Sequence, residues 1–393
     1  MSSDPVVIVA AQRTPIGAFQ GMFSPAAAPE LGAAAIAGAI GKSGVDAADI
    51  DQVLMGCVLP AGLGQAPARQ AAIGAGIPVG AACTTVNKMC GSGMKTIMDA
   101  HDLIKAGSAA IIVAGGLESM TNAPYVLPKA RGGFRMGHQE VLDHMFYDGL
   151  QDPWQGQMMG HYAEETAKKY GFSRDQQDAF AIESVTRAQA AVADGTFTDE
   201  IAPVTMSTRK GDVTVDTDET PGTVSIDKIP TLRPAFAKDG TVTAASSSSI
   251  SDGASALVLI SASEAEKRGL EPIATLVGHS SFAQEPAWFT TSPVAAIKHL
   301  HDKLGWSPDN VDLYEVNEAF AVVTMAAMHD VGLDHAAVNV NGGACALGHP
   351  IGASGARITT TLLHALKARG LKRGVASLCI GGGEAVAVGI ELT

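Results

Sequence analysis

Charge is in short supply in this sequence, and positive charge most of all. Only 17% of the 393 residues are Asp, Glu, Lys or Arg, where about 25% is usual for a soluble domain. Lys and Arg number 27 against 40 Asp and Glu, a net charge of −13. That balance argues against nucleic acid and against anionic membranes as partners. It leaves room for a local basic patch facing a phosphorylated ligand. Cysteine is also sparse: Cys57, Cys83, Cys90, Cys345 and Cys379 are odd in number and far apart. A disulfide framework is therefore not expected, and a reducing cytoplasm fits. No CxxC or HExxH spacing occurs, so neither a structural zinc site nor a zincin is expected. No apolar run is long enough for a membrane span. The opening MSSDPVVIVAAQRTP has no charged segment followed by an apolar one, so no secretory leader is expected.

Glycine, by contrast, is abundant at 44 residues, and 46% of the chain is hydrophobic. Length and composition together suggest much internal surface, many tight turns, and either two domains or one large duplicated fold. PVVIVAAQRTP, IDQVLMGCVLP and AAIIVAGGLESM read as buried strands. ELGAAAIAGAIGKSG, APARQAAIGAGIP and TIMDAHDLIKAG read as helices between them. This alternation implies an α/β fold with largely parallel strands. From about Thr121 to Ser251 polar loops, Pro and Gly dominate. One helical block breaks them, SRDQQDAFAIESVTRAQAAVADG, with Ser173 and Gln176 spaced as a capping box. A new strand–helix alternation then starts at GASALVLISASEAEKRGL.

The second alternation echoes the first. VDLYEVNEAF parallels IDQVLMGCVL, with Asp312 and Asp51 each five residues before Asn317 and Gly56. GASGARITTTLLHALKARG parallels CGSGMKTIMDAHDLIKAG, and RGVASLCIGGGEA parallels SAAIIVAGGLESM. Three echoes in the same order imply a duplicated α/β unit. The expected division is a first half, 1–120, continued by about 252–270. An inserted loop domain, 121–251, and a second half, 271–393, complete it.

Four residues at strand–helix junctions could carry chemistry. Cys90, in NKMCGSGMK, stands where a turn becomes a helix. A helix N-terminus would lower its pKa and favour the nucleophilic thiolate. A buried thiol that merely packs is the alternative. Gly91 and Gly93 would let a ligand approach the backbone closely. His349 could be a general base or an ordinary core histidine. Cys379 could be a strand's structural thiol, and Asn317 a turn residue. Ligands of α/β folds gather at the carboxyl ends of strands, where these four lie.

NKMCGSGMK, GGLESMTNAPY, PKARGGFRMG, NEAFA, NGGACALGHPIGASGAR and CIGGGEA together resemble the signatures of thiolases, in order and spacing, over essentially the whole chain. The biosynthetic type is the nearest. The resemblance implies a thiolase-like fold, two duplicated halves in an αβαβα layering with an inserted loop domain. It implies acetyl-CoA C-acetyltransfer, the reversible Claisen condensation of two acetyl-CoA to acetoacetyl-CoA and CoA by a ping-pong route. Cys90 would carry the acyl group, and His349 would take its thiol proton. Cys379 would move the proton at the α-carbon. Asn317 would hold a water that forms one oxyanion hole with His349, and the N–H groups of Cys90 and Gly381 would form the other. Substrate contacts would fall on Leu150, Met158, Lys228, Ala244, Ser248, Ala319 and Phe320. CoA would be substrate and product, with no metal and no permanently bound cofactor. The family also implies a homotetramer, with 121–152 supplying contacts.

Several details depart from the family pattern. ASSSSISDGA keeps Ser248 but puts Ser246 and Ser249 where Asn and Gly are usual. It could form a pantetheine contact or a merely polar loop. DETPGTVSIDKIP lacks an Arg expected near the CoA adenine, and Lys228 could substitute only as a point charge. Met158 stands where His is common, a change that could widen the acyl pocket. Cys345 replaces an aliphatic residue and reads as packing. A broader-chain 3-ketoacyl-CoA thiolase of degradation is therefore an alternative, and a non-catalytic CoA or lipid carrier of the same fold is a further one.

Overall fold

The computed structural model describes residues 4–208 and 211–393. Nine strands form the main sheet: β1 (Val6–Arg13), β2 (Gln52–Gly56), β3 (Ala82–Val86), β4 (Ile111–Ser119), β5 (Ser251–Ser261), β6 (Ala274–Ala283), β7 (Leu313–Val316), β8 (Arg373–Ile380) and β9 (Glu384–Leu392). Their order is β7-β8-β9-β6-β1-β5-β4-β2-β3, and a two-residue strand, Gly17–Ala18, pairs with the start of β5. The helices are α1 (Ala28–Ser43), α2 (Pro67–Gly74), α3 (Ser92–Lys105), α4 (Met159–Tyr170), α5 (Arg174–Ala193), α6 (Ala262–Arg268), α7 (Ser292–Leu304), α8 (Ala321–Val331), α9 (Ala344–Leu347) and α10 (Ser354–Arg369). Among the described residues no helix is long and apolar enough to cross a membrane.

The duplication is visible in the sheet order. The first half runs β1-β5-β4-β2 and the second β6-β9-β8-β7, and β1 meets β6 at Val7–Thr275 and Ile8–Ala274. The Asp echo has a physical basis. Asp51 accepts N–H bonds from Ala110 and Ile111 at 2.7 and 3.0 Å. Asp312 accepts them from Lys372 and Arg373 at 2.9 and 2.7 Å. Each aspartate thus ties the first strand of its unit to the start of the strand beside it.

The expectation of largely parallel strands is corrected. Among the described strands of the main sheet, only β2 with β3 and β4, and β7 with β8, run parallel. β8 and β9 are antiparallel because Gly381–Gly383 turns the chain tightly, with φ of 99° at Gly382 and 94° at Gly383. Such φ values suit glycine, and a short turn can join only antiparallel neighbours. β5 pairs antiparallel with both β1 and β4.

Helices α1 and α2 cover one face of the first half, and α7 and α8 one face of the second. Helices α3 and α10 lie between the halves. Met94, Ile97, Ile104, Ile358, Leu362 and Leu366 there meet inward residues such as Ile8, Leu54, Leu378 and Val388. The two helices cross at their starts, where a Cβ on Gly355 would lie 2.4 Å from the Met94 nitrogen. Glycine makes that approach possible and so brings two helix N-termini together.

In the span 121–251 the expected helix is α5, capped by Ser173 with Gln176 returning the bond. A second helix, α4, went unseen in the sequence. Its buried face is made of Gly160, Tyr162, Ala163, Thr166 and Ala167, with no Leu, Ile or Val to mark it as an apolar stripe in the sequence. The span is fastened to β1 by Arg13. Its fully buried guanidinium donates to Glu200 at 2.5 Å and to both Asp218 oxygens at 2.7 and 2.8 Å.

Candidate active site

Between β3 and α3 the chain makes a tight corner. Asn87 Oδ1 accepts the Met89 N–H at 3.0 Å, and Met89 has φ of 46°. Ser92 then accepts the Lys88 N–H and donates to the Met89 carbonyl, at 2.9 and 2.6 Å. The corner presents Cys90 to a cleft of about 1180 Å³ including its open mouth. Gly91 is needed for another reason than ligand approach: a Cβ there would sit 2.4 Å from Ile380 at the end of β8. The first half's nucleophile candidate is thereby pressed against the strand that carries Cys379.

His349 reaches the same cleft from the second half. Its N–H donates to the Ser249 carbonyl at 3.1 Å, and its Nδ1 lies 2.5 Å from Ser354 Oγ. Ser354 also donates to the Pro350 carbonyl at 3.0 Å. A hydroxyl has one proton. If that proton goes to Pro350, the oxygen accepts from Nδ1–H and leaves a lone pair on Nε2. Nε2 is buried and has no hydrogen-bond partner among the described residues. Burial, with the Arg357 charge added, lowers the imidazole to about 3. It is neutral at physiological pH and able to take a proton.

The expectation that the helix start lowers the Cys90 pKa is corrected. Burial pushes the thiol up to about 11, and the charge of Glu118 adds to the rise. The N–H groups of Gly381 and of Cys90 itself oppose it and are outweighed. The thiol and the imidazole are both neutral and line one cleft, and with these values the thiol gives up its proton only as its sulfur bonds to a substrate. Cys379, fully buried in β8, is pushed well above the usual thiol range by burial and by Cys90. Asn317 directly follows β7, its N–H on the Ser377 carbonyl at 3.0 Å. Both of its side-chain polar atoms are buried without a hydrogen-bond partner among the described residues, an arrangement that costs free energy unless a polar group meets them.

Leu150, Met158, Ala244, Ser248, Ala319, Phe320 and Gly381 line the cleft with Cys90 and His349. Asn317 and Cys379 do not line it and are 1% and 0% exposed; Cys379 packs with the lining residues Phe289, Ala319 and Phe320. Lys228 is elsewhere: it is exposed and lines an adjoining groove with Ser225, Ala245 and Cys345. The serine run is ordered, with Ser246 and Ser247 buried and bonded to Thr243. Ser248 donates both its N–H and its Oγ–H to the Ala319 carbonyl, each at 3.0 Å. Cys345 is buried against Phe180 and Met325, as packing predicts.

Two residues escaped the sequence reading. Ser354 looks there like an ordinary helix-start serine. Glu118 closes an apolar strand, where a carboxylate reads as the solvated end. It is instead fully buried, accepting the N–H groups of Val58, Leu59 and Gly352 at 2.9, 3.1 and 2.9 Å. Burial raises it to about 7 against those donors. It fixes the loop that carries His349 to the half that carries Cys90.

The thiolase N-terminal domain model matches residues 6–263, and the thiolase C-terminal domain model matches 270–392. The chain is a thiolase. It is 50% identical over 386 residues to an acetyl-CoA acetyltransferase of Pseudomonas aeruginosa, covering 98% of each chain. It is 49% identical over 388 residues to that of Cupriavidus necator, covering 98% and 99%. The crystal structure of the Bacillus anthracis acetyl-CoA acetyltransferase superposes on this thiolase with a TM-score of 0.97, at 40% identity and 99% coverage of both.

Proposed function

We propose that this thiolase is an acetyl-CoA C-acetyltransferase that joins two acetyl-CoA into acetoacetyl-CoA and CoA, reversibly, through an acetyl-Cys90. The observation that carries the reading is the unpartnered His349 Nε2 at one cleft with Cys90. His349 takes the Cys90 proton as sulfur attacks the first thioester, and the N–H groups of Cys90 and Gly381 hold the oxyanion. Cys379 gives its proton to the departing CoA. The resulting thiolate removes a proton from the methyl carbon of the second acetyl-CoA. Burial makes it a strong base, which a weak carbon acid requires. The enolate oxygen is held by His349 and by a water on Asn317, and each donor is worth about 3–4 kcal/mol by analogy with hydrolases. The enolate carbon attacks the acetyl group, and the Cys90 sulfur leaves and recovers its proton from His349.

Ser248, Ala244, Leu150, Ala319 and Phe320 are proposed to contact the pantetheine and acyl portions. The exposed Lys228 is proposed to meet the CoA phosphates. CoA is substrate and product, and these steps call for no metal or bound cofactor. The inserted span 121–251 is proposed as a unit between the two halves, 1–120 with 252–270 and 271–393. The exposed apolar side chains Tyr125, Leu127, Met136 and Val141 support tetramer contacts there. Five free cysteines support a cytoplasmic location.

The test follows two protons and one acyl group. Cys90→Ala is expected to abolish transfer and labelling by radioactive acetyl-CoA. Cys379→Ala is expected to keep acylation in part but stop exchange of the acetyl-CoA methyl protons with solvent. Label on another cysteine, or wild-type exchange without Cys379, would overturn the assignment. Phe146, Met158, Phe236 and Phe289 make the cleft apolar and favour a second reading, a thiolase of broader chain length. Turnover of 3-oxovaleryl-CoA equal to that of acetoacetyl-CoA would decide for it, since one methylene in a tight apolar pocket is worth about 1–3 kcal/mol.

A further inference from the structure

Away from the cleft, the fold brings two histidines and an aspartate together from positions far apart in the chain. His101 and Asp102 belong to α3 of the first half, and His279 to β6 of the second. His101 Nδ1 lies 2.9 Å from Asp102 Oδ1, and His279 Nε2 lies 3.0 Å from the same oxygen. The three donor atoms all fall within 4.8 Å of one another. The imidazoles stand edge to face, with centroids 5.2 Å apart and an interplanar angle of 85°. Both histidine side chains are largely buried, at 13% and 14% exposure, while Asp102 is 59% exposed. The trio is therefore walled on the histidine side and open to solvent on the carboxylate side.

We propose that His101, Asp102 and His279 bind one divalent transition-metal ion of the zinc class, which clips α3 of the first half to β6 of the second.

Three features support this. Zinc bonds to nitrogen and carboxylate oxygen are about 2.0–2.2 Å long, so tetrahedral donors sit about 3.3 Å apart. The donor pairs at 2.9 and 3.0 Å need to spread by a few tenths of an ångström, and the two imidazole nitrogens, within 4.8 Å of each other, need to close to the same separation. Two imidazoles with one carboxylate select zinc, cobalt, nickel or copper over magnesium and calcium, which prefer all-oxygen sites. The exposed side gives an entry path and a fourth position for water. In the bound site each imidazole carries its one proton on the ring nitrogen facing away from the ion. Two ammonium groups are nearby. Lys303 Nζ donates to the His279 carbonyl at 3.1 Å, and Lys105 Nζ to the Asp4 carbonyl at 2.5 Å. The three ligands take no part in the proposed acyl transfer, so this site is independent of that reading.

The test titrates the full, metal-stripped chain with cobalt(II) and with zinc. One equivalent per chain is expected, with visible ligand-field bands, no near-ultraviolet thiolate band, and a higher Tm in zinc. His101→Gln/His279→Gln is expected to lose the bands and the Tm rise, while metal-free acetyl transfer stays at the wild-type rate. Asp102→Asn tests the carboxylate separately and should weaken binding at least tenfold. Three results would overturn the proposal: no stoichiometric binding by the wild type, binding undiminished in the double variant, or a thiolate band that puts the ion on cysteine.

Discussion

At the scale of single residues, the balance of forces on Cys90 decides how the site must work. The helix start and two backbone N–H groups favour thiolate, but burial prevails and holds the thiol near 11. A group with a raised pKa stays protonated until the pH passes that value. Alkylating reagents react with thiolate. Without substrate, the rate of iodoacetamide modification of Cys90 is therefore expected to climb about tenfold per pH unit through pH 9. A plateau between pH 7 and 8 would mean that the thiolate is already formed. His349, lowered to about 3, titrates below the range of this measurement. Cys90 and His349 were legible in the sequence because glycine-rich motifs frame them. Glu118 and Ser354 were not, since burial of a strand-end carboxylate and the bond from Ser354 to an imidazole depend on the other half of the chain.

At the scale of elements, the crossing of α3 and α10 is the contact on which the site turns. Gly355→Ala puts a methyl 2.4 Å from the Met94 nitrogen and 2.7 Å from its Cβ. Overpacking costs about 1–3 kcal/mol. Here the obstacle is backbone, so the helices must part and shift Cys90 and His349 with them. Lower stability and a fall in kcat are expected together. Gly41→Ala, on an exposed face of α1 with nothing within 4 Å, is the control and should stabilise by about 0.5–1 kcal/mol. Urea midpoints of both variants check this, and an unchanged Gly355→Ala protein would show that the crossing yields easily. Strand positions were readable from apolar runs and the duplication from its paired aspartates. Strand direction was not, because a two-residue period is the same both ways along a chain. The glycine turn between β8 and β9 was the one local sign of an antiparallel return.

At the scale of the whole molecule, the inserted span is attached at a buried ionic knot. Arg13 of β1 meets Glu200 and Asp218, and Asp218 also accepts the Ile16 N–H at 2.8 Å. Removing one member leaves a buried charge uncompensated, which costs about 3–5 kcal/mol. Asp218→Asn is expected to lose that much in urea unfolding, with the span 121–251 becoming protease-sensitive first. A loss below about 1 kcal/mol would mean that water enters to solvate Arg13.

The two halves have also ceased to be interchangeable. By the echo of their sequences, Gly352 occupies in the second half the place that Cys90 holds in the first. A Cβ at Gly352 would come within 2.6 Å of Glu118 Oε2 and 3.0 Å of both Cys57 Cα and the Leu117 carbonyl. At that place this chain leaves no room for a side chain, and the Gly352 N–H donates to Glu118 at 2.9 Å, so the backbone there anchors the histidine loop. A nucleophile cannot stand at this point of the second half without dislodging the carboxylate that holds Val58, Leu59 and Gly352 together.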